Sequence, residues 1–240
     1  MFFPVAIASD SDGKVWTANY GSSTASLLSE NGSPISGGGG FGADQLSGPV
    51  AVAMDANHNA WFANQSGDSG YVTSISPDGS HVTRTTGCGE EPSGIATDAI
   101  GVAAKSSRGH VWTGNYESST VSELALSNNG SVIVASAGYS GAGLNHPHGI
   151  AVDGAGNVWV TNFEGNTLSE LQGANGADPG QALSPGAGLG QDAHLGRPYG
   201  IAIDASGDLW VSNFGRSTIT VFVGAASPVK TPLAGPAQLP

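Results

Sequence analysis

Apolar residues in this chain come in short alternating runs, not in helical stripes. Between Pro147 and Leu171, Gly-Ile-Ala-Val is followed by Asp-Gly-Ala-Gly, then by Asn-Val-Trp-Val-Thr, a polar bend, and Thr-Leu-Ser-Glu-Leu. A period of two, bounded by Gly, Asp and Asn, predicts β-strands joined by tight turns. Asp at the turn start can accept backbone N–H bonds, and Gly three residues later takes positive φ at no steric cost. The segment from Pro198 to Phe222 repeats the pattern with Gly-Ile-Ala-Ile, Asp-Ala-Ser-Gly and Asp-Leu-Trp-Val-Ser.

The same frame recurs along the chain. Five tryptophans, Trp16, Trp61, Trp112, Trp159 and Trp210, lie 45, 51, 47 and 51 residues apart. A proline opens each unit (Pro4, Pro49, Pro92, Pro147, Pro198), and an aspartate follows six positions later (Asp10, Asp55, Asp98, Asp153, Asp204). Three residues past each tryptophan comes an asparagine: Asn19, Asn64, Asn115, Asn162 and Asn213. Asp and Trp are six residues apart in four copies and fourteen in the third, which therefore carries an eight-residue insertion around 100–109.

A fourth, weaker strand is expected before the next proline, as at 131–135 and 229–233. Units of this length with four strands each predict an all-β chain folded as a β-propeller. The expectation is one domain over 1–233, with five four-stranded blades starting near residues 4, 49, 92, 147 and 198, and a Pro-rich tail over 234–240. Either blade one packs on blade five, or the chain is part of a six- or seven-bladed propeller truncated at the N-terminus, since the motif starts directly after Met1-Phe2-Phe3.

Composition narrows the partners. Gly accounts for 38 of 240 residues and Pro for 13, while hydrophobic residues still reach 39%, enough for a core if spaced periodically. Seven Lys and Arg stand against 19 Asp and Glu, a formal charge of −12. Binding to nucleic acid rests on neutralising phosphates with basic side chains, and no basic run exists to do so. The same deficit argues against an anionic membrane surface, and no apolar run is long enough for membrane insertion. The single cysteine, Cys88, excludes an internal disulfide and reads as a small residue in a Gly-rich loop.

The frame P-x-G-I-A-[VI]-D-x-x-G-[ND]-[VL]-W-V-x-N resembles NHL-type repeats, and within them the bacterial streptogramin (virginiamycin B) lyase-like propellers. The Trp-Val-Thr-Asn stretch Trp159–Asn162 is also similar to YVTN-type surface propellers. The resemblance implies a bacterial, extracytoplasmic protein, periplasmic or secreted; low lysine content and Gly, Ser, Asn and Thr richness agree with that placement. It further implies that channel-facing histidines and glutamates could hold a divalent metal such as Mg²⁺ and drive an elimination. His148, in Pro-His-Gly-Ile, fits such a blade start. Lyase-type strands end in a Glu where all five copies here place Asn. Neutral amides do not serve as general bases.

Strand alternation also locates a site. The start of each blade and the bend after its tryptophan share one face, and the Asp-x-x-Gly turns share the other. Residues following the prolines should ring the channel mouth: Val5, Val50, Ser93, His148 and Tyr199. The chemistry gathers in blades three to five, where His146, His194 and Arg197 lie close in sequence and Glu90 and Glu91 precede Pro92. Catalytic candidates are His148 and His194. Ligand-binding candidates are Tyr199, Arg197, His146, Asn162, Asn213 and Asn115, and metal candidates are His148, Glu90 and Glu91. Asp10-Ser11-Asp12-Gly13 resembles the opening of a calcium loop but lacks the remaining ligands. With no cofactor required, the favoured function is a non-catalytic propeller binding a small molecule, carbohydrate, peptide or another protein. The alternative is a divergent lyase or metal-assisted enzyme.

Overall fold

A computed structural model describes residues 2–42, 44–66, 70–98, 109–126 and 132–228. It shows five antiparallel sheets in chain order. Blade one comprises β1 (Pro4–Ser9), β2 (Val15–Asn19) and β3 (Thr24–Leu28). Blade two comprises β4 (Pro49–Met54), β5 (Ala60–Asn64), β6 (Tyr71–Ile75) and β7 (Val82–Thr86). Blade three comprises β8 (Pro92–Thr97), β9 (His110–Asn115), β10 (Thr120–Leu126) and β11 (Val132–Tyr139). Blade four follows with β12 (Pro147–Val152), β13 (Val158–Asn162) and β14 (Thr167–Leu171). Blade five has β15 (Pro198–Ile203), β16 (Leu209–Asn213) and β17 (Thr218–Phe222). Every expected blade start is the first residue of a strand.

The repeated residues fix the register. In all five blades the leading proline is paired with the asparagine: Pro4 with Asn19, Pro49 with Asn64, Pro92 with Asn115, Pro147 with Asn162 and Pro198 with Asn213. A register shift follows each proline, which lacks the N–H needed to continue the ladder. At the other end of the hairpin the aspartate organises the turn. Asp153 Oδ1 accepts from the N–H groups of Ala155 and Asn157 at 2.9 Å each, and its Oδ2 accepts from Trp159 Nε1 at 3.2 Å. Blades two and five repeat this with Asp55–Trp61 at 2.9 Å and Asp204–Trp210 at 3.0 Å.

The first four tryptophans then pack forward onto the next blade. Trp16 joins Ala60, Phe62 and Ile75; Trp61 joins Ile95, Val111 and Leu124. Trp112 joins Ile150, Val158 and Leu171, and Trp159 joins Leu209, Val211 and Leu195. The core is therefore a series of interblade layers, and burial of these large rings is what stacks one blade on its neighbour. Trp210 has no such layer and is 46% exposed, as are Ile219 (67%) and, on blade one, Ile7 (70%). Innermost strands meet in the order β1, β4, β8, β12, β15, and among the described residues Ile7 of blade one and Trp210 and Ile219 of blade five stay exposed.

One expectation needs correction. Only blades two and three carry four strands among the described residues. In blade one the fourth position is taken by isolated bridges, Leu28 with Pro34 and Ala25 with Phe41, and in blade four by Leu171 with Ala182 and Leu168 with Leu189. The segments involved are dense in Gly, Pro and Ser, which lack the β-branched side chains that a continuous strand packs with. The strand expected at 229–233, the tail at 234–240 and most of the insertion lie outside the described residues. Among the described residues, no helix is long and apolar enough to cross a membrane.

Candidate functional site

The pairing of proline with asparagine produces a repeated corner on one face of the molecule. The residue after each asparagine donates its N–H to the carbonyl of the residue before each proline. The bonds are Tyr20 to Phe3 (3.1 Å), Gln65 to Gly48 (3.1 Å), Tyr116 to Glu91 (3.0 Å), Phe163 to His146 (3.0 Å) and Phe214 to Arg197 (3.0 Å). Closing this corner requires left-handed backbone at the pre-proline residue, with φ of 53° at Phe3, 54° at Gly48, 51° at Glu91, 51° at His146 and 47° at Arg197. Only blade two uses glycine there. The other four hold a full side chain in a conformation that costs about 1 kcal/mol or more. Glu91, His146 and Arg197 thus occupy one equivalent slot in three successive blades.

The residue on the other side of the corner is aromatic in four blades, and in blades three to five these rings join. Tyr116 and Phe163 have centroids 6.1 Å apart, and Phe163 and Phe214 are likewise 6.1 Å apart. His148 and Tyr199 fill in from the neighbouring strands. Their rings lie 3.6 Å apart at 34°, with Phe163 at 5.9 Å from His148 and 6.2 Å from Tyr199, and Phe214 at 6.1 Å from Tyr199. His146 meets Tyr116 edge-on at 4.7 Å. The result is a continuous aromatic ladder whose blade-five end is open to solvent: Tyr199 is 47% and Phe214 66% exposed. A depression beside it is lined by Tyr199, Phe214, Ile219, Ser212, Ser217 and Thr218, with the nearly buried Asn213 contributing to the lining.

Charge is sparse but placed. The Arg197 guanidinium lies 5.4 Å from the Phe163 ring centre and 3.5 Å from a Glu164 carboxylate oxygen. Burial pushes the His148 imidazole down to about 4, and a hydrogen bond to the Tyr199 backbone opposes this only in part. His148 is therefore neutral at pH 7. The Tyr116 phenol is raised by desolvation, then by Glu164 and Glu117.

The remaining expected site residues divide clearly. Asn115, Asn162 and Asn213 are buried, and their amides are spent inside the blade. Asn162 Nδ2 donates to Thr167 Oγ1 (3.1 Å) and Ser169 Oγ (2.8 Å), while its Oδ1 accepts from Asn145 N–H (3.2 Å). Asn115 and Asn213 donate to Thr120 and Ser122, and to Thr218 and Thr220, in the same way. Their amides tie the third strand to the bend, and Oδ1 of Asn162 and of Asn213 also accepts from the preceding loop, whereas Asn115 Oδ1 is buried without a hydrogen-bond partner. Ser93, expected at the mouth, is buried with its hydroxyl on the Pro147 carbonyl at 2.6 Å.

His194 sits exposed at the end of a short 3-10 turn, Gln191–Ala193, and no described ring contact joins it to the ladder. Glu90 is exposed, and no described hydrogen bond or ion pair links Glu90 or Glu91 to His148. The proposed His148, Glu90 and Glu91 set is thus not assembled as a metal cluster among the described residues, where the one group with metal-ligand spacing is Asp10, Asp12 and His58. Tyr116, Phe163 and Phe214 were not among the expected site residues. Their signal was the aromatic following Asn in four of the five copies.

Comparison with known proteins agrees with this architecture. Residues 144–170 match the NHL repeat family. No curated protein sequence matches the chain. Among solved structures, a streptogramin B lyase aligns with a TM-score of 0.60 at 17% identity, over 96% of this chain and 70% of that one. A functionally unknown protein from Desulfotomaculum acetoxidans aligns at 0.69 and 18%, over 95% and 69% of the two chains. A catalytically inactive virginiamycin B lyase from Staphylococcus aureus, solved with quinupristin, aligns at 0.61 and 16%, over 95% and 70%. At these identities the likeness is one of fold.

Proposed function

We propose that this chain, an NHL-type β-propeller with the streptogramin lyase-like fold, is a non-catalytic binding protein. The ligand carries a flat apolar face, such as a carbohydrate ring, a cyclic peptide or a comparable small molecule. It docks on the ladder of blades three to five, in an extracytoplasmic setting. The carrying observation is the run of rings from Tyr116 through Phe163, His148 and Tyr199 to Phe214, open at its blade-five end. Aromatic faces gain most from stacking on other flat or C–H-rich surfaces, and an exposed apolar patch rimmed by polar groups marks an interaction site. Arg197 and Glu164 at its edge supply orientation. The quinupristin complexed with a structural neighbour is a ligand of this general kind.

Binding without turnover is supported by the same residues. An efficient general base has a pKa near the working pH, whereas His148 lies well below it and no described carboxylate bonds to it. Isothermal titration at pH 7 with quinupristin and a panel of neutral oligosaccharides tests the reading. Saturable binding by at least one probe is expected, weakened about tenfold or more in Tyr199→Ala or Phe214→Ala as a stacking contact of ~1.4 kcal/mol is lost, with the probe recovered unchanged. Absence of binding across the panel, or consumption of the probe, contradicts it.

A further inference from the structure

On the face opposite the ladder, the turn of blade two breaks the repeat. Blades one, four and five place Gly13, Gly156 and Gly207 at the left-handed position of the Asp-x-x-Gly turn, with φ of 76°, 89° and 84°. Blade two places His58 there, at φ 62°. This directs an imidazole across the blade boundary at the turn of blade one. His58 Nδ1 lies 3.6 Å from Asp10 Oδ2 and 3.8 Å from Asp12 Oδ2, and ligand atoms of all three residues fall within 4.8 Å of one another.

Two of these atoms make no hydrogen bond. The Asp10 side chain is 2% exposed, and its Oδ2 has no hydrogen-bond partner; His58 Nδ1 is also buried and makes no hydrogen bond, standing only at ion-pair distance from the two carboxylates. Asp10 Oδ1, by contrast, accepts from Asp12 N–H and Lys14 N–H at 2.9 Å each, the ordinary work of the turn. In blades two, four and five the second oxygen of the equivalent aspartate is occupied by the blade's own tryptophan N–H. Blade one instead turns this oxygen toward His58. A buried carboxylate oxygen and a buried ring nitrogen facing each other beyond hydrogen-bond reach are groups that a bound ion satisfies.

The geometry points to a divalent transition-metal site formed by Asp10, Asp12 and His58, clipping blade one to blade two. Metal–donor bonds of about 2.0–2.2 Å in a tetrahedral site set neighbouring donors roughly 3.3–3.6 Å apart, so the two His58–carboxylate spacings of 3.6 and 3.8 Å need little contraction. One imidazole with two carboxylates suits Zn²⁺. Ca²⁺ collects six to eight oxygens, and Mg²⁺ holds an octahedron of them.

The test uses untagged protein and Zn²⁺ alone, comparing wild type with His58→Gly and Asp12→Asn. His58→Gly restores the turn residue of the other blades, so the apo variant folds with an unchanged or higher Tm. Wild type binds one Zn²⁺, and its Tm rises by about 5 °C or more at a metal concentration roughly a hundredfold above Kd. That site and that rise are lost in His58→Gly and reduced in Asp12→Asn. No rise in wild type, or an equal rise in His58→Gly, overturns the assignment. So does a Ca²⁺- or Mg²⁺-induced rise that survives His58→Gly, because it removes the imidazole from the site.

Discussion

The imidazole of His148 lies against the ring of Tyr199 with centroids 3.6 Å apart, and this stack joins blade four to blade five at the ligand face. Burial that depresses the His148 pKa to about 4 makes the contact sensitive to acid. An unfolded histidine titrates near 6.5, so between roughly pH 6.5 and 4 the unfolded chain binds a proton that the folded chain does not. Stability from this group is complete above the unfolded pKa and falls as the pH drops through that window, by about 3 kcal/mol when fully developed. His148→Phe, which keeps a ring and removes the titration, should flatten this part of the acid limb in urea unfolding measured from pH 4 to 7.

His110 has the opposite sign. Its Nδ1 lies 3.1 Å from Asp98 Oδ2 and its Nε2 3.6 Å from Glu123 Oε1, and the Asp98 hydrogen bond raises its pKa against the cost of burial. Asp98 serves His110 in place of the indole, leaving Trp112 Nε1 without a partner. With the folded pKa above the unfolded value, the stabilisation is present below about pH 6.5 and is lost as pH rises through the folded pKa. Histidine NMR titrations should show His110 holding its proton to higher pH than a model peptide, and His148 losing its proton only at lower pH. Coincident midpoints would contradict both assignments.

The tryptophans are equivalent in sequence but not in burial. Trp61 is 2% exposed between blades two and three, whereas Trp210 is 46% exposed. Trp61→Ala should cost about 3–5 kcal/mol, the range for deleting a buried aromatic. Trp210→Ala in the same chain should cost less than half of that. Denaturant midpoints at constant m give the comparison.

Asn162→Ala removes an amide that serves three partners, two hydroxyls and a backbone N–H. Leaving them unsatisfied in a buried setting should lower stability by about 2–3 kcal/mol. Under conditions where the variant remains folded, ligand affinity at the ladder should stay within twofold or so of wild type, since no bond of Asn162 reaches a ring of the ladder. A large affinity loss in folded protein would make this asparagine a ligand contact.

The Pro, Asp, Trp and Asn spacings were enough to place all five blade starts, because in every copy the proline pairs with the asparagine and the aspartate Oδ1 accepts backbone N–H at the hairpin. Pro147 paired with Asn162 and Asp153 bonded to Trp159 are two instances of a pattern visible along the chain. The role of the asparagines was less legible. Their partners, five and seven residues on at Thr167 and Ser169, look in sequence like ordinary polar strand positions. The fourth strand of blades one and four was over-read from the repeat, where local Gly and Pro content outweighs the periodic frame. His58 and Asp10 come together only through the stacking of two blades, so the contact has no local signature beyond the missing turn glycine.

The most direct test of the binding surface is aromatic ¹H–¹³C NMR of the folded chain during titration with quinupristin, or with whichever oligosaccharide binds. Shifts confined to Tyr116, Phe163, Tyr199, Phe214 and the His148 ring, largest at Tyr199 and Phe214, are the predicted result. Shifts confined to the opposite face, around Asp10 and His58, would contradict the assignment of the ladder as the ligand site.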